Sequence, residues 1–261
     1  MTLFFHELKR GWLSLAVWPV AIAFMLGVCV IIYPEMSSQM GEISEMFADM
    51  GSFSAAFGMD QINFGEFMGY FGIECGNVLG LGGAFFAAIL GISALAKEEK
   101  DKTAEFLLSS PISRSKIITE KLLAVVSQIV ILNVAVAAVV VAAMLAIGES
   151  ADAGTIALLF LAYFLMQIQI AAITFGLSAF IKRGGLGLGF GVAIGFYFLN
   201  IVANLTAELE WLKWITPFGY ADGAAVITDE ALNVGYLGVG LLLSVVGIAA
   251  AYLKYNKKDI G

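Results

Sequence analysis

Six stretches of the chain are apolar on every side, near residues 12–34, 74–96, 120–147, 154–181, 186–204 and 234–253. Each can cross a hydrocarbon layer, which takes about 20 helical residues. In lipid the backbone must satisfy its own hydrogen bonds, so each stretch predicts a transmembrane helix. Polar positions interrupt this pattern in three places. In the long segment 35–73, Ile43, Met46, Phe47 and Met50 recur at helical spacing and predict an amphipathic helix. In 97–119, Thr103 opens a short helix with Ala104, Leu107 and Leu108 on one face. Pro111 stops it, because the residue before a proline is pushed out of the α region. Ser110 or Ser113 then caps the next helix, which carries Ile117, Ile118 and Leu122 into the third span. In 205–233, residues 208–216 predict a short helix broken by Pro217 and Gly219. The expected fold is all-α and polytopic, a single transmembrane domain over 1–261 with short outer helices before spans two and six.

Composition agrees with lipid as the main solvent. The 261 residues are 60% hydrophobic and only 13% charged, with a mean hydropathy of +0.91. Soluble domains carry about a quarter charged residues. Charge then sets the orientation. Thirteen of the fourteen Lys and Arg flank one set of span ends, leaving only Lys213 on the other, and the segment 35–73 carries six carboxylates with no basic residue. The positive-inside bias predicts both termini in the cytoplasm, and the chain is expected in the cell (inner, cytoplasmic) membrane. Trp211 and Trp214 read as interfacial anchors of an aromatic belt on the outer side.

Candidate chemistry is sparse. His6 is the lone histidine, and Cys29 and Cys75 both fall in apolar segments, so neither a catalytic site nor a metal site is expected. The chain holds no phosphate-binding glycine loop of the P-loop type. Two glycine rows spaced by four, Gly72, Gly76, Gly80 and Gly187, Gly191, Gly195, lay a flat strip on one helix face. Such strips let helices approach closely, within the chain in the favoured reading or at a dimer seam in the other. Asn77, Gln128, Asn133, Gln167, Gln169 and Asn200 are polar but uncharged within spans, and such residues more often join helices than hold cargo. Glu74 reads as a boundary residue. Phe85, Phe86, Phe164, Phe196 and Phe198 are candidates for the lining of an amphiphile cavity, or equally for lipid contact.

The loop from Lys97 to Lys116 admits two readings on physical grounds: a helix lying on headgroups, or a docking element for a cytoplasmic partner. Its residues shift the balance toward the second. "ALAKEEKDKTAEFLLSSPISRSKIITEKLLA", 94–124, resembles the signature that joins spans two and three in ABC-2-type permease subunits of bacterial exporters. The match runs through Glu98, Glu99, Thr103, Glu105, Leu107, Leu108, Pro111, Ser113, Arg114, Lys121 and Leu122. "FFHELKRGWLSLAVW" is similar to the family's N-terminal interfacial helix, and "WITPFGYADG" to its outer segment before the last span. The resemblance implies two permease subunits, identical or homologous, paired with two copies of a cytoplasmic ATPase. It implies a coupling helix around 103–110 that docks on the ATPase through Glu98, Glu99, Thr103, Glu105, Phe106, Leu107, Leu108, Pro111 and Arg114. The chain itself would then be no enzyme and carry no cofactor, ATP and Mg being held by the partner. An amphiphilic cargo (peptide, lipid or drug) would move outward, and no nucleic acid would take part. Two readings stand beside this one: an ion-coupled secondary transporter, and a non-transporting immunity or sensor subunit.

Overall fold

The computed structural model of the chain describes residues 2–48, 50–59, 61–63, 65–100, 112–181 and 185–257, with the backbone alone for 38–48 and 99–100. The described residues are nearly all helical, and six helices are long and apolar enough to cross a membrane. A short helix α1 (Thr2–Arg10) meets α2 (Trp12–Ala48) at Gly11, and α3 (Ser52–Ala56) follows on the connecting segment. The second span is compound. It starts as α4 (Phe67–Cys75), widens into a π-helical turn over Gly76–Leu81 and continues as α5 (Gly82–Lys100). The third and fourth spans are α6 (Arg114–Ile147) and α7 (Ala153–Ser178). The fifth is α8 (Leu186–Leu205). A 3₁₀ turn over Ala207–Trp214, a second over Pro217–Gly219 and the helix α9 (Gly223–Asp229) lead to the sixth span, α10 (Val234–Asn256).

Local chemistry fixes the helix ends. Asp152 accepts the Thr155 N–H at 2.7 Å at the start of α7, and that hydrogen bond holds its carboxyl below the usual aspartate range. Asn233 likewise caps α10 through the N–H groups of Gly235 and Tyr236. Helix α6 ends at Gly148, whose φ of 72° is left-handed, and the next amide, of Glu149, closes onto the Met144 carbonyl at 3.1 Å. A side chain at 148 would be strained there whatever the space around it.

Helices α5, α6 and α7 form the centre, with α2 laid on α6, α8 on α5 and α10 on α7. Small residues set the spacing. A Cβ on Gly176 of α7 would fall 2.6 Å from the Gly247 carbonyl oxygen of α10, and one on Gly91 of α5 2.4 Å from the Ala171 carbonyl oxygen of α7. Aromatic contacts pin α2 to α4 past its midpoint: the Tyr33 ring lies 5.1 Å from Phe67 and 5.4 Å from Tyr70.

One expectation changes in this frame. Ile43, Met46 and Phe47 do not form a separate helix but continue the backbone of α2, while Met50 lies beyond it in a turn. At about 1.5 Å per residue the 37 residues of α2 span roughly 55 Å, more than a hydrocarbon core is thick. Short helical elements do precede the second and sixth spans, as α3 and as the 3₁₀ turn with α9. The element expected within 97–119 falls almost wholly outside the described residues, as do Asp60, Lys182 and Arg183.

Candidate coupling site

Thr103, Glu105, Phe106, Leu107, Leu108 and Pro111 all lie in 101–111, outside the described residues, as does the side chain of Glu99. Both roots of that segment are described, and they are tied together by charge. Lys121 sits two turns into α6 with 1% of its surface exposed. Its ammonium donates to Glu7 Oε1 of α1 at 2.9 Å, to the Ala94 carbonyl of α5 at 2.8 Å, and to Glu98 Oε1 of α5. All three N–H groups of the ammonium are therefore used. A buried charge costs several kcal/mol unless it is paired and hydrogen-bonded, so this arrangement requires all three helices to be in place together.

The neighbouring residue makes a second tie. Glu120 accepts the N–H groups of Leu3 at 3.0 Å and Phe4 at 3.1 Å, which are first-turn amides of α1 with no partner inside their own helix. A carboxylate there also meets the positive end of the helix dipole. Two consecutive residues of α6 thus hold α1 at both its start and its middle.

The other root is fastened to the C-terminal span. Ser113 caps α6 by accepting the Lys116 N–H at 3.3 Å, one of the two serines expected in that role; Ser110 is outside the described residues. Arg114 donates to the Asn256 carbonyl at 2.9 Å, at the end of α10 where carbonyls have no helical partner. Thr119 and Tyr252 meet at 2.6 Å one turn further in. Beneath these contacts Leu95, Ile117, Ile118, Phe175, Ala179, Ala251 and Tyr255 form a small apolar core, with Leu3 and Ile112 packed against it. A cavity of about 250 Å³ opens beside it, between Glu7, Gly11, Ser14, Ser93, Lys97 and Gln128.

The predicted site residues divide accordingly. Glu98, expected to face a docking partner, is turned inward to Lys121 and is 5% exposed. The reason is electrostatic: a buried ammonium at that depth draws in the nearest carboxylates. Arg114 is half-buried and engaged with α10. Glu7 and Glu120 were not among the predicted residues. The signal for Glu120 is its place beside Lys121 at the start of the third span, where a charge needs a partner, and Glu7 carries no such signal.

Elsewhere, Trp211 and Trp214 are 57% and 47% exposed on the 3₁₀ turn, with Trp214 edge-on to Tyr236 at 4.8 Å. The first glycine row faces neighbours within the chain: Ile227 lies against Gly72, and the Tyr163 ring against Gly76 and Gly80. The second row does not follow the favoured reading, because a Cβ on Gly187, Gly191 or Gly195 would meet nothing within 4 Å. Polar residues inside the spans join elements: Asn133 donates to Gln167 at 2.6 Å between α6 and α7, and Tyr220 donates to Gln169 at 2.7 Å. Glu74 is half-buried within α4 and accepts from Cys29 Sγ of α2 at 3.7 Å. None of Phe85, Phe86, Phe164, Phe196 and Phe198 lines the cavity of about 250 Å³.

The described residues at this end join α1, α5, α6 and α10 through side-chain hydrogen bonds and ion pairs. A family model described as ABC-2 family transporter protein matches residues 1–260. No curated protein matches the chain.

Proposed function

The chain belongs to the ABC-2 transporter family, and from that premise we propose that it is the permease subunit of an exporter driven by a separate ATPase docked on the 97–116 loop. ABC-2 membership makes it a membrane transport subunit. The ATPase partnership, a second permease subunit and an outward-moving amphiphilic cargo are the further parts of the proposal.

The observation that carries it is the Lys121 cluster at the base of the loop. A displacement delivered to 101–111 enters the molecule through α5 and α6, its two roots. Lys121 makes those roots one unit with α1, and Arg114 adds α10. Because this junction is closely packed and charge-locked, it passes movement on as a rigid body. ATP binding then acts by favouring one arrangement of the spans over the other, since a ligand shifts an equilibrium only through its differential affinity. The open row of Gly187, Gly191 and Gly195 offers the second permease subunit a flat face.

The test is the double substitution Leu107→Asp with Leu108→Asp in the chain co-expressed with its ATPase. Transport is expected to stop while basal ATP hydrolysis continues and the purified permease keeps its melting temperature. Normal coupling in that variant would overturn the docking role of the loop. Uptake driven by an ion gradient without any ATPase would instead favour a secondary transporter.

A further inference from the structure

At the end of the molecule away from the loop, a cavity of about 60 Å³ lies between the second, fourth and fifth spans and the segment before α9. Its wall includes Gly76, at the head of the π-helical turn, with Tyr163, Tyr197, Asn200, Phe218 and Asp222. Single π turns inside α-helices recur at functional sites. Two buried polar atoms of this wall have no hydrogen-bond partner: the hydroxyl of Tyr163, a residue 1% exposed, and Oδ1 of Asn200, a residue 9% exposed. Each leaves a desolvation cost of roughly 1–3 kcal/mol uncompensated. They converge with a carboxylate. Asp222 Oδ2 accepts from Asn204 at 3.0 Å and from Asn200 Nδ2 at 3.5 Å. The Tyr163 oxygen is 2.9 Å from where a Cβ on Gly223, the next residue, would sit.

The wall carries one negative charge and no Lys or Arg. Its neutral members are small or aliphatic residues, the amides of Asn77, Asn200 and Asn204, and aromatic rings. We propose that this cavity binds a primary ammonium group. Asn200 Oδ1 and the Tyr163 hydroxyl are open acceptors for its N–H donors, and the Asp222 carboxylate, already accepting from Asn200, Asn204 and the N–H groups of Ala224 and Ala225, supplies the opposite charge. Tyr197 and Phe218 add rings of the kind that attract cations. A volume of about 60 Å³ admits an ammonium with the adjoining methylene. A divalent metal is a poor fit, because Ca²⁺ takes about six to eight oxygens. The site stands apart from the Lys121 junction and from any ATPase, so its failure leaves the exporter reading untouched.

The purified chain in detergent is titrated with ethylammonium chloride while its melting temperature is followed, against sodium chloride, potassium chloride and tetramethylammonium chloride at matched ionic strength and against 1-propanol as the neutral analogue. A saturable rise with ethylammonium alone is expected. Asp222→Asn, which still caps α9 because asparagine is a good N-cap, is expected to weaken it by at least about tenfold, or roughly 1.4 kcal/mol. Tyr163→Phe removes one acceptor and is expected to weaken it as well. No saturable shift, an equal shift with sodium, potassium or propanol, or an unchanged shift in both variants would overturn the proposal.

Discussion

Lys121 is the residue on which the most depends. Its charge is buried against Glu7 and Glu98, and its removal leaves two carboxylates without their shared cation. Removing one partner of a buried pair typically costs about 3–5 kcal/mol. Lys121→Met is therefore expected to lower the melting temperature of the detergent-solubilised protein strongly. The triple variant Lys121→Met, Glu7→Gln, Glu98→Gln is expected to recover most of that loss, since no unpaired charge remains. An equal loss in both would show that packing, and not charge, holds the junction. Little of this was legible at the level of residues. Lys121 and Glu98 stand out in the sequence as charges near span ends, but the sequence does not say which way Glu98 turns. That depends on α1 lying across α6, a contact between residues more than a hundred positions apart.

At the scale of helices, backbone approach governs the packing. Gly176 and Gly247 bring α7 and α10 within contact of each other's main chain, where a single added carbon has no room. Gly176→Ala is expected to destabilise by about 1–3 kcal/mol, measured by unfolding in detergent. Gly238→Ala, on the same α10 but with nothing within 4 Å of the added carbon, is expected to stay within about 0.5 kcal/mol of the parent. Equal effects would show that glycine acts through helix propensity and not through packing. The six apolar runs announced the helices themselves, because period and length suffice when lipid is the solvent. Where α2 stops was not announced. Its polar continuation over 35–48 has a helical spacing that fits a separate helix equally well, and only the traced backbone joins the two. The two glycine rows look alike in the sequence, yet one meets Ile227 and Tyr163 while the other meets nothing. A row of small residues marks a face, and the arrangement of neighbours decides whether anything covers it.

For the molecule as a whole, α1, the end of α10 and both roots of the 101–111 segment share one end, and we propose from the bias in Lys and Arg that this end faces the cytoplasm. In a background with Cys29→Ala and Cys75→Ala, cysteines are placed at the exposed positions Ser115 and Ser150. A membrane-impermeant thiol reagent applied to intact cells is expected to label only the Ser150 variant, and labelling of the Ser115 variant would invert the topology. The two ends have different architecture. The end with the termini is closed by charge and by helix-end hydrogen bonds, and the opposite end by aromatic rings and short 3₁₀ turns.

The sequence by itself determined the solvent, the number of spans, the helical class and the family resemblance, because each rests on local properties: hydrophobic length, charge bias and a contiguous motif. The tertiary structure decided the rest. It alone set Lys121 among three helices, turned Glu98 away from the surface and left Tyr163 and Asn200 facing a small cavity with Asp222. Each of these depends on which residues, distant in the chain, share one volume, and a buried polar group finds its partners in that volume and not along the sequence.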